Sequence, residues 1–205
     1  MNRAEFEWRK ADLTRQIQNC RTQISQAQNN TSNSRAEIDR CNNEINALNG
    51  QITSCRDEIT NHEDYIAQAR GLLDRIVTRD TQTGDALNEV VRRVNLAQDF
   101  STTMRFAQGY CKMMTEELAS TKRAVGLYVD AAKLGIGRRM RERESAVNEL
   151  TSQINSKNRR TSELRNKIYT LNNKIADNNT RIWNLNNRIG RLQSEIRILQ
   201  QQVTT

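Results

Sequence analysis

Proline is missing from all 205 residues. At an ordinary usage of about 5% a chain of this length would hold roughly ten. Their absence removes the usual helix breakers and argues against a compact fold rich in turns. Aromatic residues are scarce, with two Trp, four Tyr and three Phe. Histidine occurs once, at His62, which removes His-based triads, most zinc sites and the usual general base at neutral pH. The nearest approach to a phosphate loop is Gly135, Ile136 and Gly137 followed by Arg138 and Arg139. No strand precedes it and the G-x-x-x-x-G-K spacing fails. Carboxylates at helical spacing, such as Glu116 with Glu117 and Glu142 with Glu144, read as solvated helix faces rather than acid–base pairs. No apolar run approaches the ~20 residues needed to span a bilayer. The expectation is therefore no catalytic residues, no metal, no cofactor and no membrane span.

What the chain does have is a heptad. From Phe6 to Ile76 one frame holds without a slip. Its a column is Ile17, Ile24, Thr31, Ile38, Ile45, Ile52, Ile59, Ile66 and Leu73. Its d column is Leu13, Cys20, Ala27, Ser34, Cys41, Leu48, Cys55, His62, Ala69 and Ile76. From Met140 to Val203 a second frame runs with Val147, Ile154, Thr161, Ile168, Ile175, Ile182, Ile189, Ile196 and Val203 at a. Its d column is Leu150, Lys157, Leu164, Leu171, Asn178, Leu185, Leu192 and Leu199. Apolar residues alternating three and four apart over nine heptads specify left-handed coiled-coil helices. The fold class is all-α: a long antiparallel coiled-coil hairpin with an arm over 1–78, a helical middle or tip segment over 79–139, and a second arm over 140–205.

The pairing follows from volume and charge. The first arm's d column is small or polar, so two copies of it side by side would leave a thin core. Antiparallel pairing sets a against d, and the Ile column of the second arm then fills what the small residues leave. In that geometry g faces g. The first arm carries Glu37, Glu44 and Glu58 at g; the second carries Arg160, Lys167, Lys174, Arg181 and Arg188. A register with Ile17 opposite Leu199 and Leu48 opposite Ile168 pairs Glu37 with Arg181, Glu44 with Lys174 and Glu58 with Arg160. A slip of one heptad keeps every pair opposite in sign, so register stays open. Parallel arms would instead bring the basic column onto Arg21, Arg35 and Arg56. Exposed pairs add little stability, so these charges select orientation.

The net charge is +8, and residues 139–205 hold 13 basic against 6 acidic groups. A basic half suggests nucleic acid or an anionic surface, but five of these cations face the acidic arm and the rest are scattered without interleaved aromatics. Cys20, Cys41 and Cys55 lie whole heptads apart in the d seam, unlike a zinc or CxxC spacing. They read as small buried thiols, with a d-to-d disulfide between two copies as the alternative; Cys111 lies outside the arms. Free thiols and a charged N-terminus without an apolar signal core fit a cytoplasmic setting. Asn29 and Asn178 begin formal glycosylation sequons but sit in or beside the seam.

Between the arms the pattern changes. Residues 78–85 lack an apolar seam and read as a loop ending in a helix N-cap at Asp85. The stretch after them is rich in apolar residues, with Gly109, Gly126, Gly135 and Gly137 as candidate breaks. The chosen register places the hairpin's midpoint next to Gly109, which makes that the expected turn. The apolar surface over 87–134 is wider than one seam. Either the tip folds into a small bundle of three or four helices, or it packs against another molecule through Phe100, Met104, Phe106, Tyr110, Met113, Met114 and Tyr128. Along the flanks, Asn42 and Asn49 at e in the first arm and Asn172, Asn179, Asn186, Gln193 and Gln200 at e in the second cost less to desolvate than charges would.

The leading function is a non-catalytic structural protein that self-assembles, or packs with other helical proteins, into a filament, lattice or sheath through its tip and polar flanks. The alternatives are a shaft or adaptor of a secretion or rotary-ATPase machine, by architectural analogy, and a basic nucleic-acid-packaging protein, resting on the charge alone.

Overall fold

The computed structural model of the chain describes residues 3–100 and 105–204, with side chains for 3–97, 106 and 108–202. Two helices account for all of it: α1, Arg3–Phe100, of 98 residues, and α2, Arg105–Thr204, of 100. They pack against each other as an antiparallel hairpin. No described residue has a positive φ or a cis peptide bond.

The expected loop at 78–85 does not form, and Asp85 caps nothing, because α1 runs straight through. Helix propagation adds one hydrogen bond per residue once a nucleus exists, so about two turns without apolar anchors do not end it. Two exposed threonines adapt to it by bonding back to the carbonyl one turn earlier. Thr78 donates to the Asp74 carbonyl at 2.9 Å and Thr81 to that of Val77 at 3.1 Å. The expected turn at Gly109 is likewise replaced: Gly109 lies inside α2, and the helices meet the connection at Phe100 and Arg105 instead. Gly126, Gly135 and Gly137 break nothing either.

The chain divides into a terminal unit, Met1–Ile52 with Asn155–Thr205, and a middle unit, Thr53–Ile154. In the terminal unit both heptad frames are realised. The seam buries Phe6, Leu13, Ile17, Cys20, Ala27, Cys41, Ile45 and Ile52 from α1 and Leu164, Leu171, Leu192 and Leu199 from α2. One cluster joins Phe6, Leu13 and Ile17 to Leu192 and Leu199; another joins Cys41 and Ile45 to Leu164. The small d residues of α1 disappear entirely, while Ile168, Ile175, Ile182, Ile189 and Ile196 stay half-buried. A seam of only two helices cannot cover a branched side chain on its outer edge. Thr31 and Thr161 interrupt the a columns with buried hydroxyls that have no partner among the described residues.

The g columns face each other as expected, but in a different register. Reading along α1, Arg9 meets Glu195 at 3.0 Å, Gln16 meets Arg188 at 3.5 Å, Gln23 meets Arg181 at 3.1 Å, Glu37 meets Lys167 at 2.6 Å and Glu44 meets Arg160 at 2.8 Å. Each step of seven down α1 is answered by a step of seven back along α2. Glu37 therefore takes Lys167 rather than Arg181, and Glu44 takes Arg160 rather than Lys174, two heptads from the expected alignment. Glu58 has Ser54 of its own helix as hydrogen-bond donor, at 3.5 Å. The cause is the reversal: moving it from Gly109 towards Phe100 changes the residue opposite any given position by about twice the displacement. The hydrogen bond from Lys167 holds the Glu37 carboxyl below its ordinary value, and Glu37 raises Lys167 in return. Glu44 likewise raises Arg160.

The middle unit is packed more thinly. Cys55, Ile66 and Ala69 are buried, and α2 contributes no buried residue there among those described. Polar side chains do much of the bridging. Arg70 reaches Glu144 at 3.3 Å, Lys133 reaches Asp80 at 3.0 Å and Lys122 donates to Asn88 at 2.8 Å. Arg143 lies over the Tyr65 ring, 5.1 Å from its centroid, and approaches His62 Nδ1 at 3.0 Å. A recess beside them is lined by Tyr65, Ala69, Leu72, Gly135 and Ile136 and rimmed by Arg75, Arg138 and Arg139. All four cysteines are free thiols, three buried and Cys111 half-buried.

Candidate interaction surface

In the middle unit α2 carries two seams. One is half-buried and includes Cys111, Met114, Leu118, Val125, Val129 and Ile136. The other lies on an exposed face. Phe106, Tyr110, Met113, Glu117, Ser120, Ala124, Leu127, Ala131 and Leu134 alternate four and three apart without a slip, and every one is exposed. That is the spacing of a coiled-coil seam, here with nothing packed on it among the described residues. Phe106 is 89% exposed, Leu127 73% and Leu134 71%. Tyr110 and Met113 belong to the same stripe, and Tyr128 stands beside it. No third helix folds back to cover it among the described residues, so the expected tip bundle does not arise there.

Of the residues singled out from sequence, the structure thus places Phe106, Tyr110, Met113 and Tyr128 on one exposed side of α2. Met114 turns inward. Met104 and the side chain of Phe100 lie outside the described residues.

A second set of exposed apolar residues was not anticipated. In the terminal unit Trp8, Tyr169, Trp183 and Ile198 are between 56% and 71% exposed. They escaped a reading centred on the a and d columns because all four lie off the seam. Their signal was the converse of the heptad: a bulky aromatic at an outward position has no partner within its own hairpin. Tyr169 and Trp183 stand two heptads apart in the b column of α2.

Among the described residues no three His, Cys, Asp or Glu side chains gather to hold a metal ion, and no helix is long and apolar enough to cross a membrane. The fold defines the chain as an all-α coiled-coil hairpin. No family model and no curated protein matches it. A solved coiled-coil segment of Pyrococcus yayanosii Smc is similar at 14% identity, over 98% of this chain and 82% of that one, with a TM-score of 0.39. That likeness is too loose to carry an argument about function.

Proposed function

We propose that the protein is a non-catalytic structural coiled coil that packs into a larger filament, lattice or sheath through its tip and its polar flanks. The observation that supports this reading is the uncovered seam from Phe106 to Leu134. Five of its nine positions carry large exposed apolar side chains, Phe106, Tyr110 and Met113 at one end and Leu127 and Leu134 at the other, with Glu117 and Ser120 between them; exposed apolar groupings of this kind mark association surfaces. Its three-and-four spacing suits a helix better than a flat or globular partner, because each exposed knob needs a hole made by four residues of a facing helix. The occupant is a helix of a second copy or of another helical protein.

The test separates docking from folding. Truncating a buried Met or Phe costs about 2–5 kcal/mol of stability, whereas the same change on a docking surface mainly weakens association. Phe106→Ala combined with Met113→Ala is expected to leave the circular dichroism and thermal melt unchanged while lowering self-association or partner binding in sedimentation. Loss of helix in parallel with loss of assembly would make these residues the tip's own core and end the proposal.

A further inference from the structure

The outer face of α2 carries no charge over the 29 residues from Asn166 to Ser194, although Arg159, Arg165 and Arg197 stand on it just beyond. Between Asn166 and Ser194 every Lys, Arg, Asp and Glu lies at c or g, and the e, b and f columns hold none. The b column, which runs down the middle of this face, reads Tyr169, Ala176, Trp183, Gly190. Asn172, Asn179, Asn186 and Gln193 flank it at e, and Asn166, Asn173, Thr180, Asn187 and Ser194 at f. All of them are exposed, with Tyr169 at 69% and Trp183 at 65%.

The column alternates large, small, large, small. Among the axes that overlap all four residues of this order, it is self-complementary about one point. If a second α2 lies antiparallel, with the two-fold axis between residues 179 and 180, Ala176 faces the partner's Trp183 and Gly190 faces the partner's Tyr169. Shifting the axis to Ala176 would instead drive Tyr169 into Trp183. The same two-fold brings flank onto flank. Asn179 meets its own copy and Asn172 meets Asn186 on the e side; Thr180 meets its own copy, Asn173 meets Asn187 and Asn166 meets Ser194 on the f side. Uncharged amides can exchange hydrogen bonds across such a contact at little desolvation cost, where facing charges could not.

Gly190 supplies an independent observation. A glycine inside a helix is about 1 kcal/mol worse than alanine, so an interior glycine calls for a reason. A Cβ built at Gly190 meets nothing within 4 Å and its φ is ordinary, as at the other seven glycines; what sets Gly190 apart is its place in the b column, one heptad from Trp183. A shallow recess lies over it, lined by Asn186, Asn187, Ser194 and Ile198 among others. A ring from a neighbouring molecule would seat there.

The area is adequate. Four aromatics exposed by two thirds, each of about 200 Å², contribute on the order of 500 Å², and roughly 40 Å of amide-lined helix between them can bring the total to the ~1,200 Å² of a stable interface. The geometry points to a second copy of this chain, bound antiparallel through the b column of α2 about the position between Asn179 and Thr180. This deepens the assembly reading by naming the occupant of one polar flank, and it does not depend on the tip seam. An isologous contact here closes a pair; a second, separate contact at the tip is what would extend pairs into an open assembly.

The test is a crosslinking register in the full chain carrying Cys111→Ser. Thr180→Cys is expected to form a disulfide-linked dimer under mild oxidation. Asn166→Cys and Ser194→Cys are each expected to stay monomeric alone and to crosslink when mixed. Gly190→Leu, which has open space in its own hairpin, is expected to melt no lower than the parent yet to weaken the dimer at least tenfold. Adding Phe106→Ala and Met113→Ala to Thr180→Cys is expected to leave the crosslink intact, which separates this contact from the tip. The inference is overturned by a Thr180→Cys chain that stays monomeric. It is equally overturned by self-crosslinking of Asn166→Cys, the mark of a parallel pair, or by Gly190→Leu dimerising as tightly as the parent.

Discussion

The terminal and middle units are made from the same two helices, and they solve the burial problem differently. In the terminal unit small d residues on α1 let α2 come close, so Cys41 is buried in one cluster with Leu164, and Cys20 and Ala27 are buried as deeply. Three of its ion pairs, Arg9–Glu195, Glu37–Lys167 and Glu44–Arg160, cross between helices. In the middle unit large apolar residues are plentiful, but they ring α2 instead of lining one stripe, and a single facing helix covers only part of them. There the tightest charge cluster joins Glu89 to Arg92 and Arg93 on the same helix, at 2.8 and 3.0 Å, and holds the Glu89 carboxyl down to about 2. It does nothing for pairing. Hydrophobic content and hydrophobic burial are thus separate quantities, and it is where they diverge that a partner is called for.

The sharpest way to break this contrast is matched truncation. Leu164→Ala in the terminal seam is expected to cost about 3 kcal/mol, while Leu134→Ala, at a side chain 71% exposed, is expected to stay within about 0.5 kcal/mol. Chemical denaturation of both variants decides it, and equal losses would erase the distinction between the units. Hydrogen exchange gives a second view. Amides between residues 106 and 134 are expected to exchange at least tenfold faster than those between 6 and 48, because fewer buried contacts oppose local opening.

A smaller effect sharpens the account of the terminal seam. The hydroxyls of Thr31 and Thr161 are buried without partners, so Thr31→Val and Thr161→Val are each expected to raise stability by about 1 kcal/mol. A loss in both would mean that the hydroxyls are paired in solution. The charge ladder comes last. Glu37→Lys with Glu44→Lys is expected to lower the melting temperature by about one or two degrees at low salt, and Lys167→Glu with Arg160→Glu to restore it. The difference should fade in about 1 M salt. The pH dependence has a definite sign. The folded Glu37 carboxyl sits below its ordinary 4.5, so its contribution is complete above that pH and is lost as pH falls through the lowered value. Lys167 sits above 10.5, so its contribution is complete below that pH and is lost as pH climbs through the raised value.

The helices, their antiparallel sense and the g-to-g pairing were readable because each depends on residues seven apart. Register was not, since a strict heptad looks the same after any whole-heptad slip. Only the reversal point breaks that degeneracy, and between Phe100 and Arg105 it carries no Gly or Pro, only the weaker signal of Ser101, Thr102 and Thr103. Asp85 misled for a related reason: a capping residue is a preference of about 1 kcal/mol, too weak to stop a helix that neighbouring turns already support. The tip surface was readable as an excess of apolar residues. Its order as a second seam needed the burial of α1-facing positions to be known first, because Met113 and Met114 are indistinguishable until one of them turns inward.

The glycines carry a mechanical consequence. Gly71, Gly84, Gly109, Gly126, Gly135 and Gly137 all fall in the middle unit, against Gly50 and Gly190 in the terminal one, and none is held by a neighbour's contact at its missing Cβ. Each is a residue at which the backbone ladder opens more cheaply than at alanine. Compliance is therefore distributed unevenly along the same pair of helices. Under tension or bending the middle unit is expected to stretch and unwind first, while the terminal unit transmits load. A force–extension trace across the middle unit should show its first yield at a lower force than one across the terminal unit, and replacing Gly135 and Gly137 with alanine should raise that threshold.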